Sequence, residues 1–462
     1  MENQLVEAKN TAAFSDDKLN RKFLAENLKR ILLNTDYNVF SINAPWGGGK
    51  SYFIENLAEL IGDEAICISY NAWESDFYNN PLVPLVTEIM AKLDDIIAKE
   101  SDVHNDLINI MNIVNDILSK IKFSAGISKS LQEGITFELT YNSSKKSIES
   151  EYIALKELKR QLRQGLAFIQ KRLNKNIIIF VDDLDRCNPK YAIETLETIK
   201  HFFGIKNIIF VLAVDKKQVE NIVKTIYGIA PETSDIEGYL KKFIDVEFNL
   251  PAPDYKEFIE FQLQQMADVA APFIEAQRWY CYGEIYNGRY IDNVEFKGLI
   301  ANTVEQLVSS LNFTPRMIEK LFLRVKLTIE SLSQDDLLLP EVIFILNVLY
   351  LCDKKAFDFY INEESNGSSL RSAIQRYKDS DLIDKVNKVY PYWKNVLNNF
   401  NIIMLSYQKS ESTAPLSKEV NAANLLNFVQ QFELKYPYRK KYNFDEYLKS
   451  YASKIEFIGS MD

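Results

Sequence analysis

The stretch SINAPWGGGKS, residues 41–51, places three glycines, a lysine and a serine directly behind an apolar run. It fits the pattern A/G-x-x-x-x-G-K-S/T at Ala44, Gly49, Lys50 and Ser51. A β-rich run over 37–43 precedes the glycines, and a helical periodicity over 51–61 follows them. Because a phosphate-binding loop joins a strand to a helix in this way, the pattern favours such a loop over a flexible glycine-rich hairpin.

Each residue type in this loop suits phosphate binding. Glycines let successive backbone N–H groups point into one concavity, and the start of the following helix adds positive potential. Lys50 would reach the β- and γ-phosphates of a nucleotide, and the Ser51 hydroxyl would bind Mg²⁺. We therefore predict that ATP and Mg²⁺ bind here, in contact with Ala44, Pro45, Trp46, Gly47, Gly48, Gly49, Lys50, Ser51 and Tyr52.

A second motif, NIIIFVDDLDRC at 176–187, ends an apolar run in paired carboxylates. A buried strand with carboxylates at its C-terminal end is the usual source of a second contact to Mg²⁺. We assign that contact, through water, to Asp182. We predict that Asp183 orients or deprotonates an attacking water. A solvated loop after the strand is the alternative without chemistry.

One more carboxylate, Asp215, follows the apolar run NIIFVLAV at 207–214. A polar group at this place would lie between the phosphate loop and the acidic strand, where it could sense the γ-phosphate. Aspartate is also a favoured N-cap of helices, so both interpretations of Asp215 stay open.

Apolar strands alternate with helices along the first half of the chain. The alternation predicts an α/β fold with a central parallel five-stranded sheet, in which an additional strand lies between the loop-bearing and the acidic strands. After Pro253 the pattern is almost wholly helical, which predicts an all-α C-terminal region. The five strand-like runs are 37–43, 65–71, 176–181, 207–214 and 243–250.

These patterns divide the chain into three predicted regions. They are a nucleotide-binding core over 1–252, a helical lid over 253–330 and an all-α domain over 331–462. A polar insertion over 100–150 interrupts the core with a heptad-like helix followed by a hairpin or loop. That helix fits either packing on its own domain or a contact between subunits.

Composition narrows the class of protein. The chain has 462 residues, a net charge of −10 and a pI near 5.1, which oppose binding to nucleic acid or an anionic membrane. Four cysteines and two histidines favour neither a disulfide framework nor a histidine-rich metal site. The most apolar run, 337–352, contains Pro340 and Glu341 and predicts a buried helix, not a membrane span. Because the N-terminus does not read as a signal peptide, we expect a cytoplasmic protein.

With these motifs the chain resembles the KAP family of P-loop NTPases, which is related to the STAND and AAA-type ATPases. The resemblance covers about residues 14–325. Its stretches are APWGGGKS with Trp46 inside the loop, YNAWESDFYNNPLVPL at 70–85, VDDLDRCNP at 181–189, NIIFVLAVDKKQVENIV at 207–223, YLKKFIDVEFNLP at 239–251 and NFTPRMIEK at 312–320.

The resemblance implies a P-loop NTPase fold and hydrolysis of ATP to ADP and phosphate. Lys50, Asp183 and Arg316 would then be the catalytic residues. Arg316 is similar to a second-sensor arginine, although an ordinary exposed helix arginine is the alternative. Arg186 also matches the family signature. It would point to a neighbouring subunit or form a local salt bridge with Asp185.

The resemblance also suggests partners and a setting. Many family members carry transmembrane helices, but the insertion over 100–150 is too polar to span a bilayer, so we expect no membrane partner. Bacterial relatives act in defence systems, which implies an ATPase of anti-phage defence that forms homo-oligomers or binds proteins encoded alongside it. Two alternatives are a nucleotide-gated scaffold with little turnover and a DNA-stimulated ATPase. In the latter, the basic and aromatic segment 434–454 would contact nucleic acid.

Overall fold

The computed structural model describes residues 13–78, 80–97, 145–227, 236–266, 268–269, 293–333, 340–355, 357–358, 361 and 444–459. The chain divides into two compact units, Met1–Ala252 and Pro253–Asp462. A further division at residue 330 stays a prediction. The predicted heptad-like helix and hairpin lie outside the described residues, as does the basic part of the C-terminal segment up to residue 443.

A parallel five-stranded sheet forms the centre of the first unit, which confirms the predicted α/β fold. The strands are β1 (Val39–Asn43), β2 (Ala65–Asn71), β3 (Asn176–Asp182), β4 (Ile208–Val214) and β5 (Val246–Asn249). Across the sheet their order is β2-β3-β4-β1-β5, so β4 lies between the loop-bearing β1 and the acidic β3. All carboxyl ends therefore meet at one edge.

β3 and β4 are apolar along their length because helices cover both faces of the sheet. Residues 177–181 of β3 and every residue of β4 are buried. Alternate residues enter different cores: Ile179 and Phe210 pack in one cluster, whereas Phe180 and Val211 pack in the other. The sheet is therefore packed on both faces, and its carboxyl edge is the base for the loops that follow.

Seven α-helices of the first unit are described. They are α1 (Lys22–Leu33), α2 (Lys50–Ile61), α3 (Leu82–Ile97), α4 (Lys145–Leu173), α5 (Pro189–Phe202), α6 (Lys216–Tyr227) and α7 (Ile236–Leu240). The predicted helix over 16–34 begins only at Lys22, because the Asp17 carboxylate accepts the backbone N–H groups of Leu19, Arg21 and Lys22 and holds the preceding residues in a turn.

In the second unit the described regular elements are all helices, in agreement with the predicted all-α region. They are α8 (Lys256–Gln265), α9 (Asn293–Ser310), α10 (Pro315–Glu330), α11 (Pro340–Cys352) and α12 (Phe444–Gly459). The apolar run at 337–352 supplies α11, which is buried from Pro340 to Leu349, as the buried-helix interpretation predicts. Among the described helices, none has the length and apolar character needed to cross a bilayer.

We expect Ile179→Ala to destabilise the first unit, because Ile179 is fully buried in the middle of β3. Truncation would leave a cavity between two fixed strands and lower the free energy of unfolding by about 2–5 kcal/mol. Urea denaturation of the full chain measures the change. Asn221→Ala, at an exposed position of α6, is the matched control and should stay within about 0.5 kcal/mol of the wild type. Equal losses in both variants would contradict this assignment of the core.

Candidate nucleotide-binding site

The loop between β1 and α2 has left-handed backbone conformations at two of its glycines. Gly47 and Gly49 have φ of 73° and 80°, in the left-handed region that disfavours a Cβ. The Gly48 N–H donates to the Pro45 carbonyl at 2.9 Å, and a Cβ on Gly48 would lie 2.8 Å from that oxygen. Helix α2 begins at Lys50, one residue earlier than predicted, so its first N–H groups, which have no partner within the helix, belong to the loop.

Lys50 lies against this loop with its ammonium group buried. Its Nζ donates to the carbonyl oxygens of Ala44 at 2.9 Å and Pro45 at 3.4 Å. It also lies 3.6 Å from Oδ2 of Asp185, and the two side chains are 8% and 1% exposed. The loop lysine is thereby brought to the turn that follows β3.

Asp185 has a central role that the sequence did not reveal. Its Oδ2 accepts the Trp46 indole N–H at 2.8 Å and the Asp215 backbone N–H at 2.7 Å, in addition to its ion pair with Lys50. Its Oδ1 is buried and has no hydrogen-bond partner among the described residues, which is uncommon for a buried polar atom. One side chain thus joins the phosphate loop, the turn after β3 and the end of β4. The tryptophan inside the loop was the available signal.

Asp182 and Asp183 lie at the end of β3. Oδ1 of Asp182 accepts the Asp183 N–H at 2.9 Å. Asp183 has a left-handed φ of 56° and turns the chain into a short 3₁₀ helix, Leu184–Arg186. Burial, and then the neighbouring Asp182, raise the pKa of Asp183 above its ordinary value, although the Arg186 charge opposes the shift.

The local partner suggested for Arg186 was wrong. Its Nε lies 3.0 Å from Oδ1 of Asp183, whereas Asp185 pairs with Lys50. The left-handed turn at Asp183 accounts for the difference, because it directs successive carboxylates to different partners. Arg186 also lies 5.8 Å from the centroid of the Trp73 ring. Its role towards a neighbouring subunit stays a prediction.

The two predicted Mg²⁺ ligands have suitable chemistry. Ser51 is the second residue of α2, and Asp182 is the last residue of β3. Hydroxyl and carboxylate oxygens are the ligands that Mg²⁺ takes, together with water and substrate phosphates. Burial, and then the charge of Asp182, raise the pKa of Asp183, and a divalent cation beside these carboxylates would favour their ionised forms. In the described part of the chain no cluster of three or more His, Cys, Asp or Glu side chains could hold a metal ion.

The remaining predicted residues have different surroundings. Oδ1 of Asp215 accepts the Lys217 N–H at 3.1 Å, which favours the N-cap interpretation for the start of α6. Tyr52 packs edge-on against Phe14, with ring centroids 6.0 Å apart. Arg316 is exposed in the first turn of α10, in the second unit. The assignments of Tyr52 and Arg316 to nucleotide binding stay predictions.

Arg21 is a second residue that the sequence analysis missed. It immediately precedes α1, is 2% exposed and donates from Nη1 to the carbonyl oxygen of Gly48 at 2.7 Å. A buried arginine at the N-terminal end of an amphipathic helix leaves no pattern in the sequence that points to a loop 27 residues away. The loop is therefore contacted from two sides, by Arg21 and by Asp185.

The chain is similar to a known protein family and to curated proteins. A family model described as the KAP family P-loop domain matches residues 21–332, which is more than half of the chain. The Phage T7 exclusion protein of Escherichia coli (strain K12) is 20% identical over 264 residues, covering 50% of this chain and 33% of that protein. An uncharacterized protein of Methanocaldococcus jannaschii is 26% identical over 174 residues, covering 32% of this chain and 90% of its own length.

A solved structure gives weaker information. The ORC2 protein of Aeropyrum pernix, solved in ADPNP–ADP complexes, is 14% identical and covers 96% of this chain and 86% of its own. The TM-score of 0.29 is too low to carry an argument. The family model, in contrast, includes the phosphate loop, the acidic end of β3 and the helices up to α10. The chain belongs to the KAP family of P-loop NTPases.

Proposed function

We propose that this protein binds ATP together with Mg²⁺ at the loop 44–51 and hydrolyses it to ADP and phosphate. The observation that carries the proposal is the buried contact between Lys50 and Asp185, 3.6 Å apart, which brings the loop lysine beside the acidic turn after β3. The loop lysine and the turn that carries Asp183, the carboxylate proposed to orient water, therefore meet at one edge of the sheet. Membership of a P-loop NTPase family supports a nucleotide as the ligand.

Hydrolysis of ATP depends mainly on positioning the reacting groups and on compensating the negative charge of the phosphates. The loop amides and Lys50 would bind the β- and γ-phosphates, and Ser51 and Asp182 would hold the metal. Mg²⁺, when bound, supplies positive charge against the charge that develops on the phosphate oxygens. The proposed role of Arg316 as a second-sensor arginine rests on the family resemblance alone.

Asp183 is the residue that we propose to accept a proton from the attacking water. Its raised pKa makes it a stronger base than an ordinary aspartate. Arg186 contacts Oδ1 of Asp183, so we assign Oδ2 to the water. The activity that depends on Asp183 should then rise with pH through the pKa of this carboxyl, because only its ionised form accepts the proton.

The biological setting is proposed from similarity. The Phage T7 exclusion protein supports a role in anti-phage defence, although the match spans only 33% of that protein. Homo-oligomers and proteins encoded alongside remain the proposed partners, and the cytoplasm remains the proposed location. A nucleotide-gated scaffold with little turnover is the second candidate. It is favoured by the ion pair between Arg186 and Asp183, because this pair occupies Oδ1 of the proposed proton acceptor and opposes the larger effect of burial on its pKa.

We expect Lys50→Met to weaken the binding of ATP about 10- to 100-fold, because a charged hydrogen bond contributes about 1.5–3 kcal/mol. Isothermal titration calorimetry with ATP and Mg²⁺ measures the dissociation constant. Lys224→Met, in α6, changes the same residue type outside the loop and should bind ATP like the wild type. A wild type without affinity for ATP, or a Lys50→Met variant with full affinity, would refute the proposed site.

We expect Asp183→Asn to lower the rate of phosphate release about 100- to 10,000-fold with little change in ATP affinity, because an amide cannot act as a base. Phosphate release and calorimetry on the same sample separate the two effects. Asp76→Asn, which replaces a carboxylate in the turn after β2, is the control and should retain turnover. An Asp183→Asn variant that still protects cells from phage would favour the scaffold.

The same substitution should stabilise the fold at neutral pH. The pKa of Asp183 is higher in the folded protein than in the unfolded chain. Between these two pKa values the folded protein binds more protons than the unfolded chain, so the free energy of unfolding falls as pH rises through this window. Asp183→Asn removes the charge, so its thermal midpoint should exceed that of the wild type at pH 7. The difference should shrink towards pH 4. If the Asp183→Asn variant had a lower thermal midpoint than the wild type at pH 7, the ion pair with Arg186 would stabilise the fold by more than the burial of the Asp183 carboxylate destabilises it, and the prediction would be wrong.

A further inference from the structure

Arg21 contacts the outer side of the phosphate loop. Its Nη1 donates to the Gly48 carbonyl oxygen at 2.7 Å and to the Gly49 carbonyl oxygen at 3.3 Å. A Cβ on Gly49 would lie only 2.6 Å from that nitrogen. Gly49 is therefore required for two reasons, its left-handed backbone and the close approach of the guanidinium.

Contacts to these carbonyls also determine where the next N–H groups point. In a planar trans peptide, the carbonyl of one residue and the N–H of the next point in opposite directions. Arg21 therefore sets the directions of the Gly49 and Lys50 N–H groups, which lie at the start of α2. The Gly49 carbonyl also accepts the Phe53 N–H at 3.1 Å, so that peptide is held from two sides.

The position of Arg21 is itself fixed by the residues before it. The Asp17 carboxylate accepts the N–H groups of Arg21 at 2.5 Å and Lys22 at 2.8 Å. The same N-terminal segment is attached to α2, because the Phe14 N–H donates to Oδ1 of Asn56 at 2.7 Å. The arginine is thus supported by the helix whose first amides it orients.

We propose that Arg21 is a positioning residue of the phosphate site, which holds the Gly49 and Lys50 amides in the direction that binds phosphate oxygens. The inference rests on the proposed function, in which a nucleotide binds at this loop. A guanidinium bound to a carbonyl also polarises the peptide and makes its N–H a stronger donor. Since the contacts are to the backbone of the phosphate loop, Arg21 acts on polyphosphates in general and not on the base of the nucleotide.

The test compares Arg21→Met and Arg21→Lys with the wild type in the full chain, with ATP and inorganic pyrophosphate as separate ligands in the presence of Mg²⁺. We expect Arg21→Met to raise both dissociation constants by the same factor of about ten. Arg21→Lys should recover part of the loss, because lysine keeps the charge without the planar fork. Should Arg21→Met fail to fold, Arg21→Lys gives the same comparison with a smaller expected change.

Asn56→Ala is the matched control. It weakens the attachment of the same N-terminal segment without removing any contact to the loop carbonyls. If Arg21 had only a structural role, Arg21→Met and Asn56→Ala would both lower the thermal midpoint, and neither would change the dissociation constant for ATP or for pyrophosphate. That result would overturn the inference. Loss of ATP binding with pyrophosphate binding unchanged would overturn it too. A wild type that binds neither ligand would instead refute the proposed function, and the inference with it.

Discussion

A single carboxylate oxygen, Oδ2 of Asp185, connects the three chain segments on which the candidate site depends. It accepts hydrogen bonds from Trp46 in the loop and from the backbone at the end of β4, and it pairs with Lys50. The Lys50 side chain is only 8% exposed, and a buried ammonium group would be strongly unfavourable without an anion beside it. The burial of Lys50 thus requires Asp185, and the placement of Asp185 requires the order of strands that puts β4 between β1 and β3.

The loop itself has little intrinsic stiffness, because glycines permit many backbone conformations. Its order comes from contacts on both sides. Asp185 holds Trp46 and Lys50 on one side, and Arg21 holds the Gly48 and Gly49 carbonyls on the other. The glycines provide the conformations that a phosphate cradle needs, and buried charged side chains from elsewhere in the first unit select one of them.

Local patterns predicted most of the sheet but few of the contacts that shape the site. The run at 65–71 is a strand over those residues, as its short apolar stretch between turn signals predicted. The contacts of Arg21 with Gly48 and of Trp46 with Asp185 join residues 27 and 139 positions apart and leave no periodic pattern. The partner of Arg186 was missed because it depends on the left-handed backbone at Asp183, which residue type alone does not specify.

The carboxyl end of β3 opposes the stability that the rest of the strand provides. Residues 177–181 are buried and apolar. Within the next four positions, however, the chain has a left-handed aspartate whose carboxyl has a raised pKa, and a buried carboxylate oxygen with no hydrogen-bond partner among the described residues. Each of these features disfavours the folded state. A chain shaped by stability alone would have neutral residues here. Such local conflicts with stability concentrate where a protein does chemistry, and the apolar strand that precedes them supplies the packing that keeps these charges in place.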